Sequence, residues 1–600
     1  NVDIDKLLVV TFTNAAAAEM RERILDAIYK KLEERPEDSN LQRQITLLNK
    51  ANICTIHSFC LDVIRNNFYE IDTSANFRIG DTAEVELLKN EVIEDLFEQK
   101  YLEQDKDFLK LIDTYTGYRG DEPLVELILN IYKYIQSNPF PEKWLEEKVE
   151  MFNVENNKDF SETVWGKILL EEIKDTITEC IMKLKKIRND LSKYSELEKY
   201  KLVIDDDING LTYIYDHANS WDETYVTIQQ MNWKKWPVDK KITIDLKNEA
   251  KEIRDKIKKQ FSGIEMNTNS EEALQDINEM YEVLKDLQKI VQEFGKAFSD
   301  KKKEKNIIDF SDIEHFALKI LINEKDGLIE ESEVAKRYKE KFTEIAIDEY
   351  QDSNLVQEYI LNSISNKNNI FMVGDVKQSI YKFRQARPEL FLEKYAKYKL
   401  KDELKENKKD GQKIKLFKNF RSRKEVLDFT NLVFENIMSK DLGDVEYNQE
   451  EYLNYGANFP CLEDENINFA GKTELNIINL KEDEIDIYKK DDNINNENTM
   501  QEESDEEDQE RIENSVIEAR FVANRIKELL DSNYMVFDKR EGYRKITYKD
   551  ICVLLRATSI TAPIYEKEIS DLNLPVFSDT SSTYLDSMEV QTIMALLKVI

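Results

Sequence analysis

The sequence predicts an α/β fold: a parallel, doubly wound sheet flanked by helices and interrupted by a large all-helical insertion. Three observations predict it. Short apolar runs such as Leu7 to Val10, Ile345 to Ile347 and Phe371 to Val373 each pass into a polar turn and then a helical pattern. From about residue 81 to residue 305 the texture changes to long, charged, amphipathic helices with Trp and Tyr anchors. Only 14 Gly and 9 Pro punctuate 600 residues, a composition that favours helix, and a chain of that length needs several cores.

Taken in order, Leu7 to Val10 reads as a buried strand, and Asn14 in "TFTNAAAAEM" can cap the Ala-rich helix that follows. Ile53-Cys54 is a second strand, and "TIHSFCLDVIRNNF" a turn entering a helix. The helical stretch is broken only at "GYRGDE" (Gly117 to Glu122) and "SNPFPEKW" (Ser137 to Trp144). Strand, turn and helix resume at Phe342 to Ile347, Asn369 to Val373 and Lys413 to Phe417. Such alternation places functional loops at the carboxyl ends of parallel strands. Beyond about residue 440 a sparser α/β region offers strands at Glu474 to Leu480 and Ile551 to Leu555 and a helix over Arg511 to Leu530. The acidic, Asn-rich stretch of about 491–510 reads as a disordered loop.

Charge and cysteine usage exclude some classes of function. No apolar run approaches the roughly 20 residues that cross a bilayer. Five scattered cysteines (Cys54, Cys60, Cys180, Cys461, Cys552) form no CxxC pair, so neither a disulfide framework nor a zinc site is indicated, and a cytoplasmic location is expected. A net charge of −35 opposes indiscriminate nucleic-acid binding. The charge is uneven, however: Lys394 to Lys424 holds 13 Lys/Arg against four Asp/Glu, while Glu502 to Glu510 is almost solid acid. That basic run fits a phosphate-binding track, and it equally fits a solvated helix face.

Three segments can carry chemistry. In "IAIDEYQD", apolar residues run into Asp348-Glu349 at a strand's carboxyl edge, where a nucleotide's phosphates would sit. Asp348 can hold Mg²⁺ through water, and Glu349 can orient or deprotonate an attacking water. A bare pattern of this kind also fits a strand cap with solvated acids. In "IFMVGDVKQSIYKFRQA", Gln378 can read a γ-phosphate, and Tyr381 and Phe383 can offer faces for base stacking. Phe383 also fits a core aromatic. In "NFRS", Arg421 follows a strand end, where its rigid guanidinium suits a phosphate; a surface charge is the alternative.

In order and approximate spacing, "TFTNAAAAEM", "TIHSFC", "IDEYQD", "VGDVKQSIYKFRQA" and "NFRS" resemble motifs Ia, Ib/Ic, II, III and IV of superfamily 1 DNA helicases of the UvrD/RecB type. The closer wording, including "PFPEKWL" and "DFSDIEHFAL", resembles the AddA family of ATP-dependent helicase/nucleases from Firmicute-type bacteria, over essentially the whole chain. The resemblance implies RecA-like P-loop NTPase cores. Residues 1–80 would form the N-terminal part of the first core, 81–305 the helical insertion, 306–440 the rest of the first core, and 441–600 part of a second. It implies ATP and Mg²⁺ as cofactors, with Asp348 the Mg²⁺-linked acid and Glu349 the catalytic base. Gln378 would couple the γ-phosphate to DNA, and Arg421 would act as an arginine finger. Phe12, Thr13, Asn14, Thr55, His57, Ser58, Tyr381, Phe383 and Arg384 would line a single-strand track, although His57 also fits a helix-capping residue. A 3′→5′ direction, a role in double-strand break repair and a second helicase-nuclease subunit of the AddB/RexB type are implied in the same way. A UvrD-like repair helicase without nuclease, and a non-catalytic helicase-like scaffold that holds DNA, are the alternative functions.

The family's phosphate-gripping loop, GxxxxGK[ST], is not found in these residues. Gly471-Lys472-Thr473 is a decoy, because Asn466 stands where the first glycine should be and a strand pattern follows. With Asn1 rather than Met at its start, the chain is expected to be an internal stretch of a longer motor, with no ATP hydrolysis by itself. A nuclease domain with its iron-sulfur cluster would lie beyond Ile600.

Overall fold

The computed structural model describes residues 2–599 apart from 72, 75, 117–119, 240–243, 265, 326–327, 402–410, 461–470, 480–503, 539–540 and 579–587. It divides into two compact units, Asn1–Lys413 and Ile414–Ile600.

In the first unit, strand β1 (Leu7–Thr11) leads into helix α1 (Asn14–Glu34), and β2 (Asn52–Thr55) leads into α2 (Ile56–Asn66). Thr13, not Asn14, caps α1, its hydroxyl accepting from the Ala16 amide at 3.1 Å. Asn14 is already the first helical residue, so its side chain projects from the first turn. The helical insertion then runs from α3 (Thr82–Glu103) through α4 (Val164–Leu191), α5 (Glu198–His217) and α6 (Leu246–Ser262) to the 36-residue α7 (Ser270–Lys305), with shorter helices between. The chain re-enters the sheet region through α8 (Phe310–Leu321), β3 (Glu344–Ile347), α9 (Leu355–Ser363), β4 (Ile370–Met372) and α10 (Pro388–Lys397).

The four strands are parallel in the order β2-β1-β3-β4. Alternation along β1 gives the sheet its two buried faces. Leu8 and Val10 point into a core with α2, α8 and α9, built from Phe59, Val63, Ile313, Ile345, Ile347, Val356 and Ile360. Leu7 and Val9 point the other way, onto Ala17, Met20 and Ile24 of α1. The expected strands at Phe342 to Ile347 and Asn369 to Val373 are therefore present with slightly tighter bounds.

The insertion has two cores of its own. One gathers α3, the C-terminal half of α7 and the helices between residues 106 and 150 around Leu88, Ile128, Phe294 and Phe298. The other joins α4, α5 and α6 around Ile177, Leu184, Ile204, Leu211 and Ile257. The first turns of α7 (Ala273, Leu274, Ile277) pack on the second of these cores, so one long helix serves both. It ends at Asn306, whose φ of 55° is the left-handed conformation that Asn tolerates at a helix end. One turn earlier, the buried Lys302 ammonium bonds Asp309 at 2.8 Å and Asp312 at 2.6 Å, the two acids of the capping box that starts α8.

The second unit contains α11 (Lys424–Ile437), α12 (Ser504–Asp531) and α13 (Thr558–Asp571), with α12 and α13 meeting around Ala519, Ala523, Tyr565 and Ile569. Lys418–Asn419 pairs in parallel with Asn454–Tyr455, and Met535–Asp538 forms a hairpin with Gly542–Lys545. Three expectations change here. Residues 414–417 are irregular, the strand pairing falling at Gln412–Lys413 and Lys418–Asn419 instead. Residues 474–479 and 551–555 form no ladder among the described residues, and Leu475, Ile477 and Leu554 are left exposed. An apolar run forms a strand only where a neighbour completes its hydrogen bonds. Within the acidic stretch, α12 begins at Ser504, consistent with the preference of acids for helix N-termini. Residues 491–503 and Cys461 lie outside the described residues.

Candidate functional site

Because the strands are parallel, their carboxyl ends form one row. The register sets Thr11 beside Thr55, Val10 beside Ile347 and Ile347 beside Met372. Four loops whose sequences lie up to some 370 residues apart thus open on one edge of the sheet.

The acid pair leaves β3 at that edge. The Asp348 amide donates to the Val10 carbonyl at 2.9 Å, fixing the residue just past the strand. Burial, then the neighbouring Glu349, raises the Asp348 carboxyl above its usual range. Glu349 is exposed and has φ 50°, a left-handed conformation unfavourable to a residue with a Cβ and a common sign of a functional constraint. The Gln351 amide beneath it, 1% exposed, donates to Glu349 Oε2 at 2.7 Å and Asp352 Oδ2 at 3.3 Å. Its oxygen accepts from the Asp375 amide at 3.1 Å. Asp352, pushed up to about 6 by burial and by Glu349, keeps its other oxygen without a partner.

Gly374 allows this close approach of the β3 and β4 loops. A Cβ there would lie 2.5 Å from Gln351 Oε1 and 3.3 Å from the Gln351 backbone nitrogen. Gly374→Ala is therefore expected to expel the Gln351 side chain, destabilising the loops by about 1–3 kcal/mol. Hydrogen–deuterium exchange should quicken across residues 348–378; unchanged protection would contradict this packing. Beyond Gly374, Gln378 is exposed, and its Nε2 donates to Asp375 Oδ2 at 3.0 Å, while Lys377 pairs with Asp375 at 3.0 Å.

An aromatic row borders the acids. Phe12, at the end of β1, stacks on Tyr381 with ring centroids 4.9 Å apart, and Tyr381 lies 5.9 Å from Phe383. Phe383 is 74% exposed, so it is no core aromatic. Thr13 and Asn14 are exposed at the start of α1. Of Arg384 only the backbone is described, in the turn Lys382–Arg384. Thr55 caps α2, its hydroxyl lying 2.9 Å from the Ser58 hydroxyl and accepting from the Ser58 amide at 3.3 Å. His57 is half-exposed, 3.3 Å from Glu314 Oε1, and meets the exposed Phe310 edge-on at 5.8 Å.

In the second unit, Arg421 is exposed just past Lys418–Asn419, with its amide donating to Asn419 Oδ1 at 2.9 Å. Two lysines of the basic run are engaged within the first unit. Lys394 turns inward onto Glu358 at 2.5 Å and the Tyr350 hydroxyl, and Lys413 bonds the Tyr395 carbonyl at 2.9 Å.

Sequence reasoning missed Gln351 and Glu314. Both are polar residues at buried positions, and only Glu314 carried a signal: it falls on the apolar stripe of α8, with Ala317, Leu318 and Leu321. Among the described residues no cluster of three or more His, Cys, Asp or Glu forms a metal cage, and no helix is long and apolar enough to cross a membrane. Octahedral magnesium does not need such a cage, since one or two carboxylates suffice when phosphate oxygens and waters complete the shell. Two adjacent carboxylates, one of them half-buried and hard to ionise, fit a cation that would relieve their repulsion.

Residues 1–399 match the UvrD/REP helicase N-terminal domain, and residues 414–600 match the UvrD-like helicase C-terminal domain. The whole chain is 44% identical to the ATP-dependent helicase/nuclease AddA of Clostridioides difficile (strain 630) and 44% to that of Clostridium beijerinckii, covering 48% of each. It is 42% identical to that of Acetivibrio thermocellus, covering 49%. The chain thus spans about half the length of the curated relatives it matches.

Proposed function

The chain belongs to the UvrD/REP helicase family, with a RecA-like α/β core and a helical insertion, and on that premise we propose that it is the motor of an ATP-driven single-stranded DNA translocase. One observation carries this reading: the acid pair Asp348-Glu349 and the aromatic row Phe12–Tyr381–Phe383, its first two rings stacked, open on the same sheet edge. Nucleotide chemistry and base stacking can therefore be linked through the strands between them.

Asp348 would hold Mg²⁺, which supplies charge neutralisation to the phosphates when bound. Glu349 orients and deprotonates the attacking water, and Gln351 fixes its carboxylate. Gln378, tethered to Asp375, would sense the γ-phosphate. Arg421 neutralises charge on the transferring phosphoryl group. Phe12, Thr13, Asn14, Tyr381, Phe383 and Arg384 take the DNA strand, with Thr55, His57 and Ser58 beside them at the start of α2. Thr55 acts there chiefly by capping the helix that carries the other two. For the whole protein, 3′→5′ movement, nuclease chemistry, a role in double-strand break repair and a second subunit extend the proposal. No residue here is assigned to the nuclease.

The test is phosphate release from ATP by the full-length protein, with and without single-stranded oligodeoxythymidine. Stimulation by DNA is expected, and Phe383→Ala should weaken DNA binding by about 1–3 kcal/mol. Turnover indifferent to DNA would overturn the reading.

A further inference from the structure

We propose that Glu314 is a positioning residue that ties His57 to the loop following the acid pair, so that a strand bound at His57 is felt at Asp348-Glu349. The inference rests on the reading of the chain as a DNA-stimulated motor. Glu314 is buried in the middle of α8, and its carboxylate meets polar groups from two other elements. Oε1 lies 3.3 Å from His57 Nε2 and accepts from Gln357 Nε2 at 2.7 Å, while Oε2 accepts from Asn354 Nδ2 at 3.0 Å.

These groups belong to opposite ends of the proposed reaction. His57 stands at the start of α2, half-exposed at the carboxyl edge. Asn354 caps α9, its Oδ1 accepting from the Gln357 amide at 2.8 Å, and is separated from Asp352 by Ser353 alone. The helix between them has little freedom, because the buried Lys302 fixes both acids of its capping box. One turn before Glu314, Phe310 braces the His57 ring. A buried carboxylate cannot lose a polar neighbour without a cost in its electrostatic environment. A bound strand that displaces the imidazole therefore shifts the balance of bonds to Asn354 and Gln357, and with it the cap of the helix behind the acid loop.

The test compares Glu314→Gln, His57→Ala and the double variant in the full-length protein, measuring ATP turnover over a titration with oligodeoxythymidine. Each single variant is expected to raise the half-stimulating DNA concentration about tenfold, the scale of one lost polar contact to a charged group. The double variant should be no worse than either single one, since both break the same link. Glu314→Asp, which keeps the charge but shortens the reach, should show the same loss and serves if Glu314→Gln does not fold. Additive losses in the double variant, or wild-type stimulation in Glu314→Gln, would overturn the inference while leaving the motor reading intact. A wild type unstimulated by DNA would overturn both.

Discussion

Glu349→Gln in the full-length protein should retain ATP binding and lose about 10²–10⁴-fold in turnover, the usual contribution of a general base. The substitution is close to isosteric. Gln351 Nε2, now 2.7 Å from the Glu349 carboxylate, can still donate to the new amide oxygen, and the left-handed backbone at φ 50° asks no more of Gln than of Glu. What disappears is the anionic oxygen able to take a proton. Equilibrium binding of a fluorescent ATP analogue should stay within about threefold of wild type, less than 1 kcal/mol, while single-turnover hydrolysis falls. Unchanged turnover would remove Glu349 from the base role, and lost binding would make its role structural instead.

The second large effect lies far from that edge. In the insertion, the Arg254 guanidinium, 1% exposed, forks onto Asp207 at 2.5 and 2.9 Å and lies over the Trp233 and Trp236 rings at 5.7 and 5.5 Å from their centroids. Burial raises the Asp207 carboxyl above its usual range despite the opposing pull of Arg254, so desolvation is not wholly offset by the pair. Asp207→Ala or Arg254→Ala alone strands a buried charge and should destabilise the insertion by about 3–5 kcal/mol. The apolar pair Asp207→Leu with Arg254→Met should recover most of that loss. All five tryptophans (Trp144, Trp165, Trp221, Trp233, Trp236) lie in the insertion, so their fluorescence during urea unfolding reports this region. A double variant as unstable as the single ones would mean that the pair is worth more than its apolar replacement.

Much of the site was legible in the chain because its signals are local. An apolar run ending in Asp348-Glu349, another ending in Gly374-Asp375, and Thr55 before a helical pattern each depend on residues within one turn or strand. The same local signals misled where partners decide the outcome. Asn14 and Thr13 are both good capping residues, and the path of the chain leaving β1 selects Thr13. Residues 474–479 and 551–555 are apolar enough to read as strands, yet form no ladder among the described residues. Lys394 counts as surface charge in a basic run, but α10 turns it onto buried Glu358.

By itself, then, the sequence determined the alternation of strands and helices in the first unit, the helical insertion, and which residues stand at the carboxyl ends of the strands in its four-stranded sheet. These follow from hydrophobic period and turn chemistry, which act over a few residues. Only the tertiary structure decided that Phe12 stacks on Tyr381, that Gly374 leaves room for Gln351, and that Glu314 gathers His57, Asn354 and Gln357. Each of these joins segments far apart in the chain. Strand order, register and the packing of α8 against the sheet bring them together, and no local pattern encodes that placement.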